Sequence, residues 1–234
     1  MYKRILLKLS GEVLSGEGKK GLDSKMGDLI VEEVSNVIEK GVQIGIVIGA
    51  GNLFRGEDIS YVGPINADQI GMLGTVINSI YLFSSFKKHG IDSVVLSKIT
   101  DLPSVERLTY DAIERAFREH KIVIFAGGTS NPLFTTDTAA ALRAAEMNAD
   151  VLIKGTKVDG VYSKDPKKFS DAKRFEKLTF EEAIKMNLTV MDTSAFVLCR
   201  SHSIPVIVMN FFEKGNFSKL VDGDKIGTLV FNEI

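Results

Sequence analysis

A glycine-rich segment between a strand-like run and a helical pattern is the part of the sequence best suited to bind an anion. It runs from Gly127 to Asp137 and contains three threonines. Glycines let the backbone approach an anion closely, and the first N–H groups of a helix have no partner within it. Thr135 or Thr136 is suited either to cap the helix or to bind a phosphate oxygen. The pattern is typical of a phosphate site, and an ordinary capped turn is its plain structural alternative.

Three further polar segments follow strand-like runs and share this chemistry. They are Lys8–Glu12, Gly49–Gly56 and Lys154–Pro166. Lys8 can reach a phosphate, and Arg55 can bind one through two hydrogen bonds. Each segment alone is also explained as a solvated turn. Ligands bind at the carboxyl ends of strands in parallel sheets, so we expect these loops to meet.

The last of these segments offers groups for a nucleoside. Tyr162 is suited to stack on a base, or to cover the core as loop tyrosines do. Asp165 is suited to accept from a ribose hydroxyl, or to start the turn at Pro166. The stretch from Lys154 to Arg174 is the most polar in the chain, and we expect a hairpin or flap there.

Short apolar runs alternate with helical patterns, which predicts an α/β fold with a mostly parallel, doubly wound sheet. The strand-like runs are Ile5–Leu9, Ile44–Ile48, Val94–Leu96, Ile122–Phe125, Val151–Ile153, Val206–Val208 and Thr228–Val230. The helical patterns are Ser24–Lys40, Ala67–His89, Tyr110–Glu119, Ala139–Met147, Thr179–Met186 and Thr193–Ser201. No change in composition divides the chain, so we expect one domain over residues 1–234.

Composition excludes several classes of protein. The formal net charge of -1 argues against a general nucleic-acid binder, which needs a basic surface. The single cysteine, Cys199, excludes an intramolecular disulfide framework, and the three histidines lack metal-ligand spacing. We find no secretory leader pattern and no apolar run long enough to span a bilayer. These features favour a cytoplasmic protein that does not associate with membranes.

Two common nucleotide motifs are absent from the sequence. No Gly-x-x-x-x-Gly-Lys-Ser/Thr string occurs, which excludes a P-loop enzyme. Gly49-Ala50-Gly51 is followed by Phe54 where a dinucleotide-binding loop would have glycine, which argues against a dehydrogenase.

Six segments together resemble the bacterial UMP kinases of the amino acid kinase superfamily. They are Lys8–Glu12, Gly51–Gly56, Asp68 with Gly71–Leu73, Gly128–Asp137, Thr156–Tyr162 and Met191–Asp192, in the family's order between residue 3 and about residue 210. The Asn131–Asp137 block and Asp68 separate UMP kinases from relatives that form acyl phosphates. The resemblance implies the amino acid kinase fold, a three-layer sandwich around the central sheet.

The resemblance also implies an activity and its site. The γ-phosphoryl group of ATP would pass to UMP, giving UDP and ADP for pyrimidine nucleotide biosynthesis. The implied ATP-binding residues are Lys8, Leu9, Ser10, Gly11, Gly51, Arg55, Thr156, Tyr162 and Asp165. The implied UMP-binding residues are Ala50, Asp68, Thr129, Ser130, Asn131, Pro132, Leu133, Phe134, Thr135 and Thr136.

Such a transfer needs no general base, because the second pKa of a phosphomonoester is about 6 and the acceptor oxygen is already ionised. The expected catalytic residues are Lys8, Arg55 and Asp137. We assign Lys8 to the γ-phosphoryl group, Arg55 to the phosphates, and Mg²⁺ to the ATP phosphates without assigned protein ligands. Asp137 would hold Lys8 or the metal shell, or only favour the helix dipole.

Two other aspartates precede or open helical patterns. Asp68 would accept both ribose hydroxyls of UMP, with the helix dipole as its plain alternative. For Asp192 we favour a capping role over a role in the site.

Two residues depart from the family pattern, which has glycine at the positions of Ala50 and Ser130. Ala50 is harmless at ordinary dihedrals and strained at positive φ, and Ser130 marks a place for an altered turn. The family's bacterial members are homohexamers activated by GTP and inhibited by UTP. Their GTP-responsive stretch corresponds to Gly16, Glu17, Gly18, Lys19, Lys20 and Gly21, which is more basic here.

Three rival classes remain open at the level of sequence. An enzyme of the same fold could form an acyl phosphate, but it would need a carboxylate-binding pocket in place of Asp68. A nucleotide-binding regulatory protein that has lost catalysis should lack Lys8 or Arg55, and both are present. A purely structural module leaves four polar glycine loops unexplained.

Overall fold

The computed structural model describes residues 2–18, 20–54, 59, 61–166 and 168–233. Within them lie nine β-strands and seven α-helices. The strands are β1 (Arg4–Leu9), β2 (Gln43–Ile48), β3 (Ser93–Ser97), β4 (Glu106–Arg107), β5 (Ile122–Phe125), β6 (Val151–Thr156), β7 (Lys177–Thr179), β8 (Val206–Asn210) and β9 (Thr228–Phe231). The helices are α1 (Ser24–Ile38), α2 (Pro64–Lys88), α3 (Tyr110–Arg118), α4 (Thr136–Glu146), α5 (Phe180–Lys185), α6 (Thr193–Ser201) and α7 (Asn216–Asp222).

One sheet contains all nine strands, in the order β4-β3-β5-β2-β1-β6-β8-β9-β7. Neighbouring strands run parallel except at the β8–β9 pair, which is antiparallel. Parallel strands joined by helices must be covered on both faces, which explains why β1 and β2 are almost continuously apolar. The carboxyl ends of the central strands therefore meet at one edge, where the four loops were expected.

Helices cover both faces of the sheet and create two separate cores. Alternate side chains of β1 point to opposite faces, so that Ile5 and Leu7 join one core and Leu6 the other. Helices α1, α2 and α7 pack on the first face, and α3, α4, α5 and α6 on the second. The arrangement is the predicted three-layer sandwich with a mostly parallel sheet.

Local sequence explains where the helices of the second face begin. Thr109, Thr135, Thr179 and Asp192 each precede a helix and accept backbone N–H groups of its first turn. At α5, Glu182 also reaches back to the Thr179 N–H group and completes a capping box. The start of α4 is thereby fixed directly after the glycine-rich segment.

The strands and helices predicted from periodicity are confirmed, with ends that shift by a few residues. The structure adds β4, β7, α7 and a 3₁₀ turn at Gly11–Ser15, which are too short for periodicity to reveal. The first residues of the polar stretch, Lys154–Thr156, belong to β6. Its remainder folds back as a hairpin in which Tyr162 bridges Arg174.

Among the described residues, no helix combines the length and the apolar character needed to cross a membrane.

Candidate functional site

Two lysines share one carboxylate at the carboxyl edge of the sheet. The Lys8 Nζ atom lies 2.7 Å from Oδ1 of Asp137, and the Lys154 Nζ atom lies 2.7 Å from Oδ2. All three side chains are largely shielded from solvent. Of the roles weighed for Asp137, a contact with Lys8 is therefore present in the structure.

Strand register explains why the two lysines meet. Lys8 on β1 is the direct partner of Lys154 on the adjacent parallel strand β6, so both side chains point to the same face. Asp137, in the first turn of α4, faces them from the helix above. Lys154 also donates to the Val190 carbonyl, which fixes it from a third segment.

Electrostatics in this cluster keeps the carboxylate ionised. Burial favours the neutral form of Asp137, but the charges of Lys8 and Lys154 outweigh it and lower the pKa of the carboxyl. Burial and the charge of Lys8 also lower the pKa of Lys154, which Asp137 only partly offsets. Two cations and one anion leave one positive charge in excess, which suits the binding of a phosphate.

A buried amide network supports the loop after β2. Asn78 on α2 donates to the Gly49 carbonyl at 2.7 Å and exchanges hydrogen bonds with Asn52. Asn52 in turn donates to the Gly21 carbonyl, and its own carbonyl accepts the Gly21 N–H group. Both asparagines are fully buried, so that the network is satisfied internally. The network joins α2, the loop after β2 and the segment before α1. The described part of this loop, residues 49–54, is called the glycine loop below.

Ala50 is compatible with this loop, since its φ angle is not positive. Its methyl group instead restricts the neighbouring helix, because a Cβ atom at Gly74 would lie 2.7 Å from the Ala50 Cβ atom. Gly74 on α2 therefore packs against the glycine loop. Gly71, one turn earlier, lines the cleft described below.

The glycine-rich segment after β5 contains a strained turn. Ser130 has a φ angle of +73° and Leu133 one of +70°, a region that residues with side chains rarely adopt. Ser130, where the resemblance implies glycine, adopts the backbone conformation that glycine favours. The Thr129 hydroxyl stabilises this turn by accepting the Asn131 N–H group and donating to the Asn131 carbonyl.

The two threonines at the start of α4 have different environments. Thr135 caps the helix by accepting the N–H groups of Asp137 and Thr138, and it donates its proton to Asp192. Among the described residues the Thr136 hydroxyl has no hydrogen-bond partner, and Thr136 lines the cleft. The hydroxyl that is free to bind an anion is therefore that of Thr136.

Asp192 does more than cap its own helix. One oxygen accepts the Ala195 N–H group at 2.9 Å and the Thr138 hydroxyl at 2.8 Å, and the other accepts the Thr135 hydroxyl. The expected capping role is confirmed, and the same carboxylate ties the starts of α4 and α6 together.

A cleft of about 290 Å³ lies between α2 and the glycine-rich segment. Oδ2 of Asp68 accepts the Leu133 N–H group at 2.6 Å, which links the two walls. The cleft is lined by Ala50, Gly51, Phe54, Ile59, Ala67, Asp68, Gly71, Met72, Thr75, Gly128, Phe134, Thr135 and Thr136. Six of the residues implied for UMP or ATP by the resemblance thus face one space: Ala50, Gly51, Asp68, Phe134, Thr135 and Thr136.

Several of the remaining predicted residues make contacts outside this cleft. Thr129 and Asn131 line a neighbouring groove between α4 and α6. Thr156 closes a turn with Val158, and the Tyr162 hydroxyl donates to Asp159. Asp165 accepts backbone N–H groups within the hairpin, while Arg55 and Lys19 lie outside the described residues.

Sequence reasoning missed Lys154 as a member of the cluster, although it stood in the fourth segment. The available signal was a lysine at the end of the apolar run Val151–Ile153. Its neighbour across the sheet became visible only with the β1–β6 register.

The fold is shared with proteins of known class. The model of the amino acid kinase family matches residues 3–210, and the chain belongs to this family. A uridylate kinase of Fervidobacterium nodosum is 55% identical over 100% of both chains, and one of Thermotoga maritima is 56% identical over 97% of this chain and 98% of its own. The crystal structure of UMP kinase from Bacillus anthracis superposes with a TM-score of 0.96 at 34% identity, covering 100% of this chain and 97% of the other.

Proposed function

We propose that this protein is a UMP kinase, which transfers the γ-phosphoryl group of ATP to UMP and releases UDP and ADP in pyrimidine nucleotide biosynthesis. The observation that carries the proposal is the Lys8–Asp137–Lys154 cluster, in which Asp137 directly follows Thr136 of the cleft that Asp68 also lines. Full-length relatives that bear the name uridylate kinase support the choice of acceptor.

The chemistry needs charge neutralisation more than proton transfer. Phosphoryl transfer brings two polyanions together, and an enzyme lowers the barrier by placing cations where negative charge develops. Lys8 and Lys154 would contact the transferring group, while Asp137 holds both ammonium groups in place. The UMP phosphate is largely ionised at neutral pH and attacks without a base.

Donor and acceptor would occupy opposite sides of the cluster. ATP would bind at Lys8–Gly11, Gly51, Arg55, Thr156, Tyr162 and Asp165. UMP would bind at Ala50, Asp68 and residues 129–136, with Thr136 donating to its phosphate and Asp68 accepting from the ribose. Asp68 keeps an oxygen for the ribose while the other accepts the Leu133 N–H group.

Magnesium would reach the site on the ATP phosphates. Both oxygens of Asp137 face lysines, which makes this carboxylate a poor metal ligand. The described residues include no group of three or more His, Cys, Asp or Glu side chains that could hold a metal ion. Bound Mg²⁺ would neutralise the β- and γ-phosphates.

Regulation and assembly follow from the family resemblance and are proposed on that basis. The protein would act in the cytoplasm as a homohexamer of single-domain chains, with GTP as activator and UTP as inhibitor. Residues 16–21 would respond to GTP. The Gly21–Asn52 hydrogen bonds support this assignment because they connect that stretch to the glycine loop of the site.

The acceptor decides between this function and an acyl-phosphate-forming kinase. ADP release should require UMP and should not occur with glutamate, aspartate or carbamate. ADP release with one of these carboxylate or carbamate acceptors, but not with UMP, would assign the rival activity. A comparison of UMP, CMP and dUMP, each with and without GTP, then defines specificity and regulation.

A further inference from the structure

We infer that Arg143 is a positioning residue for the glycine-rich segment that would bind UMP. The inference rests on the proposed UMP kinase function. Arg143 lies on α4 and is fully buried, with 0% of its surface exposed. Its Nη2 atom donates to the Gly128 carbonyl at 2.9 Å. Its Nη1 atom pairs with Glu146 one turn further along the helix.

A buried guanidinium is costly, so its contacts indicate what it does. Desolvation of an arginine is offset only when good partners surround it. Glu146 supplies the counter-charge and also contacts Lys98 at the end of β3. The second partner of Arg143 is a backbone carbonyl of the glycine-rich segment, which lines the cleft at Gly128.

The hydrogen bond from Arg143 to the Gly128 carbonyl also fixes the orientation of the next N–H group, because both belong to one planar peptide. The carbonyl and the following N–H group of a trans peptide point in opposite directions and rotate as one unit. With the Gly128 carbonyl held toward Arg143, the Thr129 N–H group points away from it. No described residue accepts from that N–H group, although Thr129 is buried. A buried donor without a protein partner is suited to a ligand oxygen.

UMP is the ligand that fits this donor. Thr129 stands directly before the strained turn at Ser130, in the segment proposed to bind UMP. Without Arg143 the 128–129 peptide would be free to rotate, and the N–H group would lose its fixed direction. Arg143 thus acts on UMP binding through the backbone and touches neither substrate.

Substitution of Arg143 should change the KM for UMP and leave the KM for ATP nearly unchanged. Arg143→Met should raise the KM for UMP about tenfold, the worth of one well-placed hydrogen bond, and leave the KM for ATP within twofold. Calorimetric titration of UMP in the absence of ATP should show the same loss of affinity. Arg143→Lys should restore part of it, since one donor can still reach the carbonyl.

Lys98→Met is the matched control, because it removes the outer ion pair of Glu146 and keeps both the Arg143–Glu146 pair and the Arg143–Gly128 hydrogen bond. Its KM for UMP should stay within twofold of wild type. Equal rises in both KM values for Arg143→Met, or no rise in either, would overturn the inference. If the wild-type protein does not phosphorylate UMP, that result contradicts the proposed function itself and is distinct from a failure of the Arg143 inference.

Hydrogen exchange on the wild-type protein tests the same point without any variant. The Thr129 amide has no acceptor among the described residues of the free protein, and it should become better protected when UMP is added. Protection that does not change with saturating UMP would overturn the role of Arg143, even if the variants do not fold.

Discussion

At the scale of single residues, the two lysines that share Asp137 are the centre of the proposed chemistry. Lys8→Ala should lower kcat roughly 10²-fold or more, a loss of about 3 kcal/mol of transition-state stabilisation. Lys154→Met should have a similar effect, because it faces the same carboxylate. Steady-state kinetics with Lys214→Ala, which removes an exposed lysine paired with Glu32, provides the control. Near-normal turnover of both cluster variants would remove them from the mechanism.

The shifted pKa values of the cluster predict a pH effect. A lysine that stabilises a phosphoryl group must be protonated, so activity falls as pH rises through its pKa. Burial and Lys8 already lower the pKa of Lys154, and Asp137 opposes them. In Asp137→Asn that opposition is lost, and the alkaline limb of the kcat profile should move to lower pH.

The pH–rate profiles of wild type, Asp137→Asn and Asp222→Asn test this prediction. Asp222 pairs with Lys40 at the surface and serves as the control. An alkaline limb that stays in place, or moves to higher pH, would contradict the assignment of a cluster lysine to this limb.

Asp68 should matter for binding of the acceptor and little for the chemical step. In Asp68→Asn the amide oxygen can still accept the Leu133 N–H group, but the second position becomes a donor and no longer accepts from a ribose hydroxyl. The KM for UMP should rise with little change in kcat, since the lost contact exists already in the ground state. A fall in kcat with an unchanged KM would contradict the ribose assignment.

Residue types and spacing singled out Lys8 and Asp137, because one stands at a strand end and the other at a helix start that the pattern made visible, whereas Asp68 was assigned through the family resemblance. Lys154 and Arg143 were beyond such reasoning. The position of Lys154 beside Lys8 depends on the β1–β6 register, and the contact of Arg143 depends on the direction of the Gly128 carbonyl in the folded chain. Contacts between distant segments are what periodicity cannot supply.

At the scale of elements, α2 packs closely against the glycine loop, where Gly74 lies next to Ala50. Gly71→Ala should stabilise α2 by up to about 1 kcal/mol through helix propensity, because no atom lies within 4 Å of the added Cβ. Gly74→Ala should instead destabilise the protein, because overpacking against Ala50 costs about 1–3 kcal/mol. The free energy of unfolding in urea measures both changes.

The double variant Ala50→Gly/Gly74→Ala tests the cause. Removing the Ala50 methyl group should recover most of the stability lost in Gly74→Ala, which a double-mutant cycle expresses as a coupling energy. Additive losses would mean that the clash lies elsewhere.

The same contact shows the limits of prediction at this scale. Strand and helix order followed from apolar runs and periodicity, and so did the mostly parallel sheet. The pairing of Gly74 with Ala50 did not, since a glycine in a helix indicates that another element can approach closely but not which one. The structure shows that Gly74 packs on the loop after β2.

At the scale of the whole molecule, α2 presents apolar side chains to solvent in the isolated chain. Leu73 is 53% exposed and Ile77 is 48% exposed, one turn apart on the same face. Such a patch is typical of an interface, which supports the proposed assembly. Leu73→Glu/Ile77→Glu should yield smaller particles than wild type in light scattering, whereas Met186→Glu, at another exposed apolar residue, should not. A wild-type monomer would contradict the proposed hexamer.

The central claim is that this chain moves a phosphoryl group from ATP to UMP. A single-turnover reaction of the wild-type protein with γ-³²P-labelled ATP, UMP and Mg²⁺ tests it most directly. The account predicts that the label appears in the β-phosphoryl group of UDP, and that Lys8→Ala slows its appearance while Lys214→Ala does not. Binding of both nucleotides by calorimetry, with no labelled UDP formed, would contradict the account and identify a nucleotide-binding protein without this activity.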